Sequence, residues 1–514
     1  MYLTQGLHRS VQRQPDKVAV IHGERQTTYR TLYDRACRLA AVFTGLGMNT
    51  GDRAAILAHN STEYVEFILA SWISGIIPVP LNTRWSKKEI RAALDDCGAS
   101  ALYVDDSFLD FAAGRELDTP SLRHIVHMGT KETPDGLKNH ETLLRSTAPA
   151  ADKRLGGDHL AVILYTSGTT GQPKGVMLSH GNFGAAALAR MAEVPSPSEG
   201  IQLNATPMFH VAGLGRLVQT VITGASCVIL RQFRPEDVLD AVARHKITDL
   251  LLVPSMIQML LDCPAFSPTA VSSVTRIVYG ASPIPAPLLD RAVAAMPKVE
   301  FLHTYGMTET AATVTINPGF NHGPEGLRTG RIRSAGRCGY ATEVKIVDPA
   351  GNEVPRGTVG EIIVRGPLVM QGYWNRPEET DATLRDGWLY TGDGAWMDES
   401  GYLFVVERLK DMIITGGENV YSAEVENALS THPAVAMCAV IGVPHPTWGE
   451  AVHAIVVLRD GRAVAGTELS DHCRQTLAGY KCPKSIEIKD FIPISATGKI
   501  LKTVLRKPFW DATA

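Results

Sequence analysis

Apolar positions along this 514-residue chain follow two periods, and the two alternate. Residues 28–47 (TYRTLYDRACRLAAVFTGLG) carry apolar side chains at helical spacing and end in glycine, a helix stop. Asp52-Arg-Ala-Ala-Ile-Leu-Ala then predicts a short strand, Ser61 to Ser74 a helix, and Ile76-Ile-Pro-Val-Pro another strand. Such alternation predicts an α/β fold of mostly parallel sheets covered by helices. Residues 343–348 and 360–365 (EVKIVD and GEIIVR), split by a Gly/Pro/Asn turn cluster, predict paired strands of a small β unit. After Gly401 the pattern restarts, with strand 402–406, strand and turn 412–420, helix 422–430, strands 435–441 and 452–458, and helix 467–478. The expected organisation is a large N-terminal domain, 1–409, and a small α+β C-terminal domain, 410–514, joined near Glu407-Arg-Leu-Lys-Asp411.

Composition narrows the class. Hydrophobic residues make up 45% and charged residues 20%, the balance of an ordinary folded protein. A net charge of −3 gives no electrostatic case for a nucleic-acid or anionic-membrane partner. The eight cysteines include no Cys-x-x-Cys pair, so no zinc knuckle or redox pair is written here. The start lacks a basic region followed by an apolar run, so no signal peptide is expected. The longest apolar stretch, Val65 to Leu81, is broken by Glu66, Gly75, Pro78 and Pro80 and is too short to span a bilayer. A soluble, cytoplasmic protein is expected.

The chemistry is densest in Leu160-Ala-Val-Ile-Leu-Tyr-Thr-Ser-Gly-Thr-Thr-Gly-Gln-Pro-Lys-Gly-Val-Met-Leu178. An apolar run enters a loop of small hydroxyl and glycine residues that closes on Lys174-Gly175. Glycines let backbone N–H groups wrap an oxyanion, hydroxyls add donors, and lysine adds a point charge. This is phosphate-cradling chemistry without a Walker A loop, because Pro173 and Gly175 flank the lysine where glycine and Ser/Thr would be needed. A dinucleotide fingerprint is also missing. Its nearest start, Gly45-Leu-Gly47, reaches Thr50 where a third glycine is required.

With others downstream, these residues resemble the adenylate-forming AMP-binding superfamily, specifically its acyl- and aryl-CoA ligases. The resemblance runs through Gly51-Asp-Arg, Pro207-Met-Phe-His210, Gly280-Ala-Ser-Pro283, Thr304-Tyr-Gly-Met-Thr-Glu309, Tyr390-Thr-Gly-Asp393, Arg408-Leu-Lys-Asp411, Gly416-Gly-Glu-Asn419 and Thr497-Gly-Lys499. It implies two half-reactions at one site. A carboxylate attacks the α-phosphate of ATP to give an acyl-adenylate and pyrophosphate; the small, mobile C-terminal domain then rotates, and the thiol of CoA displaces AMP. The first step brings an anion toward a polyphosphate. At ~4 Å and an effective dielectric of ~20, each like-charge pair costs about 4 kcal/mol, so cations and oriented dipoles must offset it.

The resemblance also implies roles. Lys499 would reach the carboxylate and α-phosphate during adenylation, with Lys502 left as a solvated surface residue. Thr166, Ser167, Gly168, Thr169, Thr170, Gly171 and Lys174 would hold the phosphates. Glu309 would bind Mg²⁺, which needs few protein carboxylates, and Thr308 would donate to the α-phosphate. Tyr305, Gly306, Gly280, Ala281 and Ser282 would surround adenine, Asp393 would accept from the ribose hydroxyls, and Arg408 would approach ribose and phosphate. Lys410 would be the hinge, and Gly416 and Gly417 would line the pantetheine tunnel. His210, Val211 and Gly280 would border the acyl pocket, His210 by positioning or gating. Glu407 and Ser422 depart from the family, which usually has glycine and proline there.

The lining of that pocket is expected from residues 208–216, 254–260 and 302–305, including Met208, Phe209, Leu214, Met256 and Met259. It is largely apolar, with only Arg216 to pair a second charge, which favours a fatty or aromatic monocarboxylate over a diacid. The expected activity is ATP-dependent carboxylic acid:CoA ligation, with a carrier-protein pantetheine thiol as the alternative acceptor. Small-molecule carboxylate, ATP and CoA are the expected partners, and a homodimer is compatible with the sequence.

Overall fold

Helix Thr62–Ser74 shows how local signals set the framework: the Ser61 hydroxyl accepts from the Tyr64 N–H at its start, and Gly75 ends it at φ 75°. The helix is buried almost throughout and packs on helix Tyr29–Gly45. The computed structural model describes residues 1–114, 117, 119–166, 173–282, 284–495 and 500–511.

Among the described residues the strands form five sheets. The first is parallel throughout, in the order Ile77–Pro80, Arg53–Leu57, Ala101–Val104, His124–His127, Lys138–Asn139. The second has nine strands. Its parallel centre runs Glu300–Tyr305, Arg276–Gly280, Asp249–Leu252, Ile201–Asn204, Ser226–Ile229, Val18–His22. Both its edges are antiparallel, with Thr315–Asn317 and Arg337–Cys338 on one side and Arg25–Thr28 on the other. Alternating βα units foretold the parallel centre. They did not foretell that Val18–His22 leaves the first sheet's stretch of sequence to join the second, a long-range pairing that no local pattern encodes.

A third, antiparallel sheet pairs Leu160–Thr166 with Lys174–Ser179 and adds Gly372–Tyr373 at its edge. The β unit pairs Glu343–Val347 with Gly360–Arg365, as the turn cluster between them requires. Trp388–Met397 extends that unit, flanked by Leu384–Arg385 and Leu403–Arg408. After the turn Leu409–Asp411 the strand Ile413–Thr415 enters a separate sheet, ordered Glu418–Val420, Ile413–Thr415, Gly449–Leu458, Val435–His445, with Ser485–Ile488 beside Gly449–Leu458. This sheet and helix Ser422–Ser430 enclose a core of their own, which includes Ile413, Val425, Leu429, Val440, Val452 and Leu469.

Lys502 corrects one expectation. It is enclosed at the joint and not on the solvated surface, with its ammonium 2.8 Å from Glu426 and 3.4 Å from Glu407. Burial opposes its charge, and the two carboxylates hold its pKa above the ordinary lysine value. Seven of the eight cysteines are buried thiols, Cys338 being exposed. No helix among the described residues is long and apolar enough to cross a membrane.

Candidate active site

Strands Arg276–Gly280 and Glu300–Tyr305 end side by side, with Gly280 opposite Thr304. A Cβ on Gly280 would stand 2.2 Å from the Thr304 carbonyl oxygen, so the approach of the two backbones requires glycine. The chain then turns through Ala281 at φ 68°, a left-handed conformation that costs an L-residue energy and that folds tolerate mainly at functional sites. Ser282 follows this turn. From the neighbouring strand, Tyr305 leads through Gly306 into the short turn Thr308–Thr310, where the Met307 N–H donates to the Thr310 hydroxyl at 3.0 Å. The carboxyl ends of two parallel strands thus present Gly280–Ser282 and Tyr305–Glu309 together, which is where open α/β sheets bind ligands.

Across from them stands the β unit. Asp393 and Arg408 are cross-strand partners in its last antiparallel pair, and this register places guanidinium against carboxylate. Arg408 Nε donates to Asp393 Oδ1 at 2.7 Å and the Tyr305 hydroxyl donates to Oδ2 at 2.7 Å. A further bond runs from Arg408 Nη1 to the Thr391 carbonyl at 3.1 Å. Asp393 is buried. Burial opposes the charge on Arg408, yet Asp393 beside it raises its pKa. Burial and the same carboxylate push the Tyr305 phenol far up, so it stays a donor.

Glu309 is also buried, at 7% exposure. Its carboxylate accepts from the Tyr373 hydroxyl at 2.9 Å, and burial raises its pKa. The Lys174 ammonium lies 5.1 Å from the centre of the Tyr373 ring. Tyr373 therefore joins Glu309, the candidate metal ligand, to Lys174, the candidate phosphate-binding lysine, a link that no local sequence signal foretold. The apolar run before Gly372-Tyr373 hints at a strand, but nothing local ties that strand to residue 176, 197 positions earlier, with which Tyr373 pairs.

Thr166 and Lys174 face each other where the antiparallel pair opens, the Thr166 hydroxyl reaching the Lys174 carbonyl at 3.5 Å. Ser167, Gly168, Thr169, Thr170 and Gly171 lie outside the described residues, as do Pro283 and Lys499. Lys410 is exposed in the turn Leu409–Asp411, where its carbonyl accepts from Arg506 Nη1 at 3.3 Å. Gly416 and Gly417 form the two-residue connection between Ile413–Thr415 and Glu418–Val420, at φ 61° and 84°, a turn that demands left-handed residues. The Gly416 N–H donates to the Trp448 carbonyl at 2.9 Å.

A cavity of about 100 Å³ opens beside Gly280, Ala281, Thr304 and Gly306. Val211 lines it, whereas Met208, Phe209, His210, Leu214 and residues 254–260 are absent from its wall, and Met259 is 46% exposed. Two arginines also line it, Arg216 and the unforeseen Arg190. His210 precedes helix Val211–Thr223 with its ring against Phe209, the centroids 4.5 Å apart. Burial lowers its pKa to about 4, so the ring is neutral at pH 7.

The chain matches the model of the AMP-binding enzyme over residues 7–374 and that of the AMP-binding enzyme C-terminal domain over residues 424–499. It is 40% identical over 510 residues to a feruloyl-CoA synthase of Amycolatopsis sp, covering 98% of each chain. It is 34% identical to the fatty acid–[acyl-carrier-protein] ligase ScoC of Streptomyces coeruleorubidus, covering 98% of this chain and 95% of the other. The crystal structure of ATP-bound MatB from Rhodopseudomonas palustris superposes with a TM-score of 0.89 at 32% identity, covering 100% of both chains.

Proposed function

The chain belongs to the AMP-binding enzyme family, and from that premise we propose that it is an ATP-dependent carboxylic acid:CoA ligase acting on a fatty or aromatic acid. The observation that carries this reading is the Asp393 carboxylate, oriented by Arg408 and Tyr305 beside the strand ends that present Gly280 and Glu309. A carboxylate so oriented suits a pair of ribose hydroxyls. Tyr305 then lies along adenine with Gly280, Ala281, Ser282 and Gly306 close by, and Thr308 donates to the α-phosphate. The loop 166–171 and Lys174 cradle the outer phosphates.

Glu309 suits a hard cation. It is a buried carboxylate whose pKa burial raises, and a divalent ion with phosphate and water ligands would favour its ionised form. Mg²⁺ held there would offset charge on the triphosphate. Lys499 brings a second cation to the bond being made, from a C-terminal domain that begins at residue 410 and turns about Lys410. Positive charge preorganised at the site lowers the barrier between two anions. After the turn, Gly416 and Gly417 leave room for pantetheine, and the neutral His210 positions the acyl group without titrating. The cytoplasm, which supplies both ATP and CoA, is the compartment assigned.

The acceptor has a rival, a carrier-protein pantetheine thiol, since the relative ScoC bears the name of an acyl-carrier-protein ligase. A panel of carboxylic acids scored for pyrophosphate release and for thioester, with and without CoA, tests both points. Acid-dependent pyrophosphate release followed by CoA thioester is the expected result. Release without thioester would move the acceptor to a carrier protein, and no release with any acid would overturn the ligase reading.

A further inference from the structure

Two guanidinium groups at the acyl cavity are short of partners. Arg190 comes from helix His180–Glu193 and Arg216 from helix Val211–Thr223, and both line the cavity with Gln219. Arg216 Nη1 donates to Asp249 Oδ1, but its Nε and Nη2 are buried without a hydrogen-bond partner. Arg190 Nη1 donates to the Gln219 side-chain oxygen, and its Nη2 is likewise buried and unpartnered. Among the described residues no carboxylate lies within ion-pair distance of Arg190. The other oxygen of Asp249 faces a third arginine, Arg276, at 3.7 Å, and Arg276 is also held by Glu300 at 3.0 Å. Burial and the neighbouring Arg216 lower the Arg190 pKa to about 10, which leaves it charged at neutral pH. Three arginines against two carboxylates leave one positive charge unbalanced. Buried cations are normally paired, and buried donors are normally satisfied.

The strands give the distance scale. Asp249 begins the strand Asp249–Leu252 beside Arg276, while Gly280 and Thr304 stand at the opposite, carboxyl ends. At ~3.3 Å per residue, the four residues from Arg276 to Gly280 put the arginine end about 13 Å from the end where the adenylate would form. Leu251, Leu252, Val253 and Val278 line the apolar wall between.

We propose that this cavity selects carboxylic acids that bear a second, electron-rich oxygen at the end remote from the reacting carboxylate, on the order of 10 Å away, with Arg190 and Arg216 receiving that oxygen. The inference rests on the ligase reading and sharpens its substrate class. A phenolic oxygen and a second carboxylate share the required acceptor chemistry. An acid ending in a methyl group would leave the three guanidinium nitrogens dry and unpaired, and polar sites reject such analogues far more strongly than apolar pockets reject an extra methylene.

The test is a matched series of 3-arylpropenoic acids with 4-hydroxy, 4-carboxy, 4-methyl or no ring substituent, with octanoic acid beside them. Pyrophosphate release gives kcat/KM for each acid with the wild type and with Arg190→Met, which keeps the volume and removes the charge. The expected wild-type preference for the better 4-oxygen acid over the 4-methyl acid is about tenfold or more, and that ratio collapses in Arg190→Met. Preference for 4-hydroxy assigns the oxygen to a phenol, and preference for 4-carboxy assigns it to a diacid. A wild-type ratio near one overturns the inference, as does a ratio that Arg190→Met leaves intact; water then satisfies the arginines. Release with octanoic acid alone overturns the inference and spares the ligase reading, whereas release with no acid overturns both. The wild-type comparison needs no variant, so poor folding of Arg190→Met would not shield the proposal.

Discussion

Glu407 and Ser422, both buried at the joint, are hydrogen-bonded to each other. The Ser422 N–H donates to Glu407 Oε2 at 2.8 Å and its hydroxyl donates to Oε1. Glu407 is the last residue but one of strand Leu403–Arg408 and Ser422 opens helix Ser422–Ser430, so the pair ties the C-terminal unit to the strand that carries Arg408. A carboxylate at a helix start also meets the positive end of the helix dipole. A glycine at 407 would offer no acceptor and a proline at 422 no N–H, so the contact needs both residues.

The pair makes the joint sensitive to pH. Burial, with Glu426 adding to it and Lys502 and Ser422 opposing it, raises the Glu407 pKa to about 7. A raised carboxyl pKa means that the docked arrangement holds its proton more tightly than the released chain. The resulting stabilisation is complete below the ordinary value near 4.5 and is lost as pH rises through about 7. At ~1.4 kcal/mol per unit the span reaches about 3 kcal/mol. Thermal melts of wild type and Glu407→Gln between pH 5 and 8 should diverge with pH as this predicts, and parallel curves would show that the group does not titrate there.

Asp393→Ala should raise the KM for ATP by about tenfold or more, because it removes charged hydrogen bonds worth ~1.5–3 kcal/mol. It also strips Arg408 and Tyr305 of their shared acceptor. A wild-type KM for ATP in initial-rate assays would refute the ribose contact.

Glu309→Gln should shift half-saturation by Mg²⁺ upward several-fold, since a neutral amide is a poorer ligand for a hard cation. Tyr373→Phe leaves the carboxylate but removes its 2.9 Å donor. Its expected effect is a loss of about 1 kcal/mol in stability, seen in denaturant unfolding, with a smaller shift in Mg²⁺ dependence. Equal Mg²⁺ titrations for wild type and Glu309→Gln would remove Glu309 from the metal site.

Lys499→Ala should depress acid-dependent pyrophosphate release by about a hundredfold or more, the usual loss for one stabilising donor in a transition state. Thioester formation from a supplied acyl-adenylate should survive largely intact. If the first step persisted and the second failed, the lysine would serve the other half-reaction.

Sequence alone determined whatever depends on neighbours along the chain. The helix Tyr29–Gly45, the strand Arg53–Leu57, the capped helix Thr62–Ser74 and the paired strands of the β unit follow from period, cap and turn residues. The phosphate-loop composition and the spaced signatures were legible for the same reason, and they fixed the family. The tertiary structure decided what depends on residues far apart. It placed Tyr373 between Glu309 and Lys174, took Lys502 from the expected surface to a pair of carboxylates, and set Arg190 beside Arg216 on a cavity whose predicted wall held only one of them. Local patterns report the conformation of a segment. Which charge faces which, and which donor is left dry, is set only when sheets stack and helices cross.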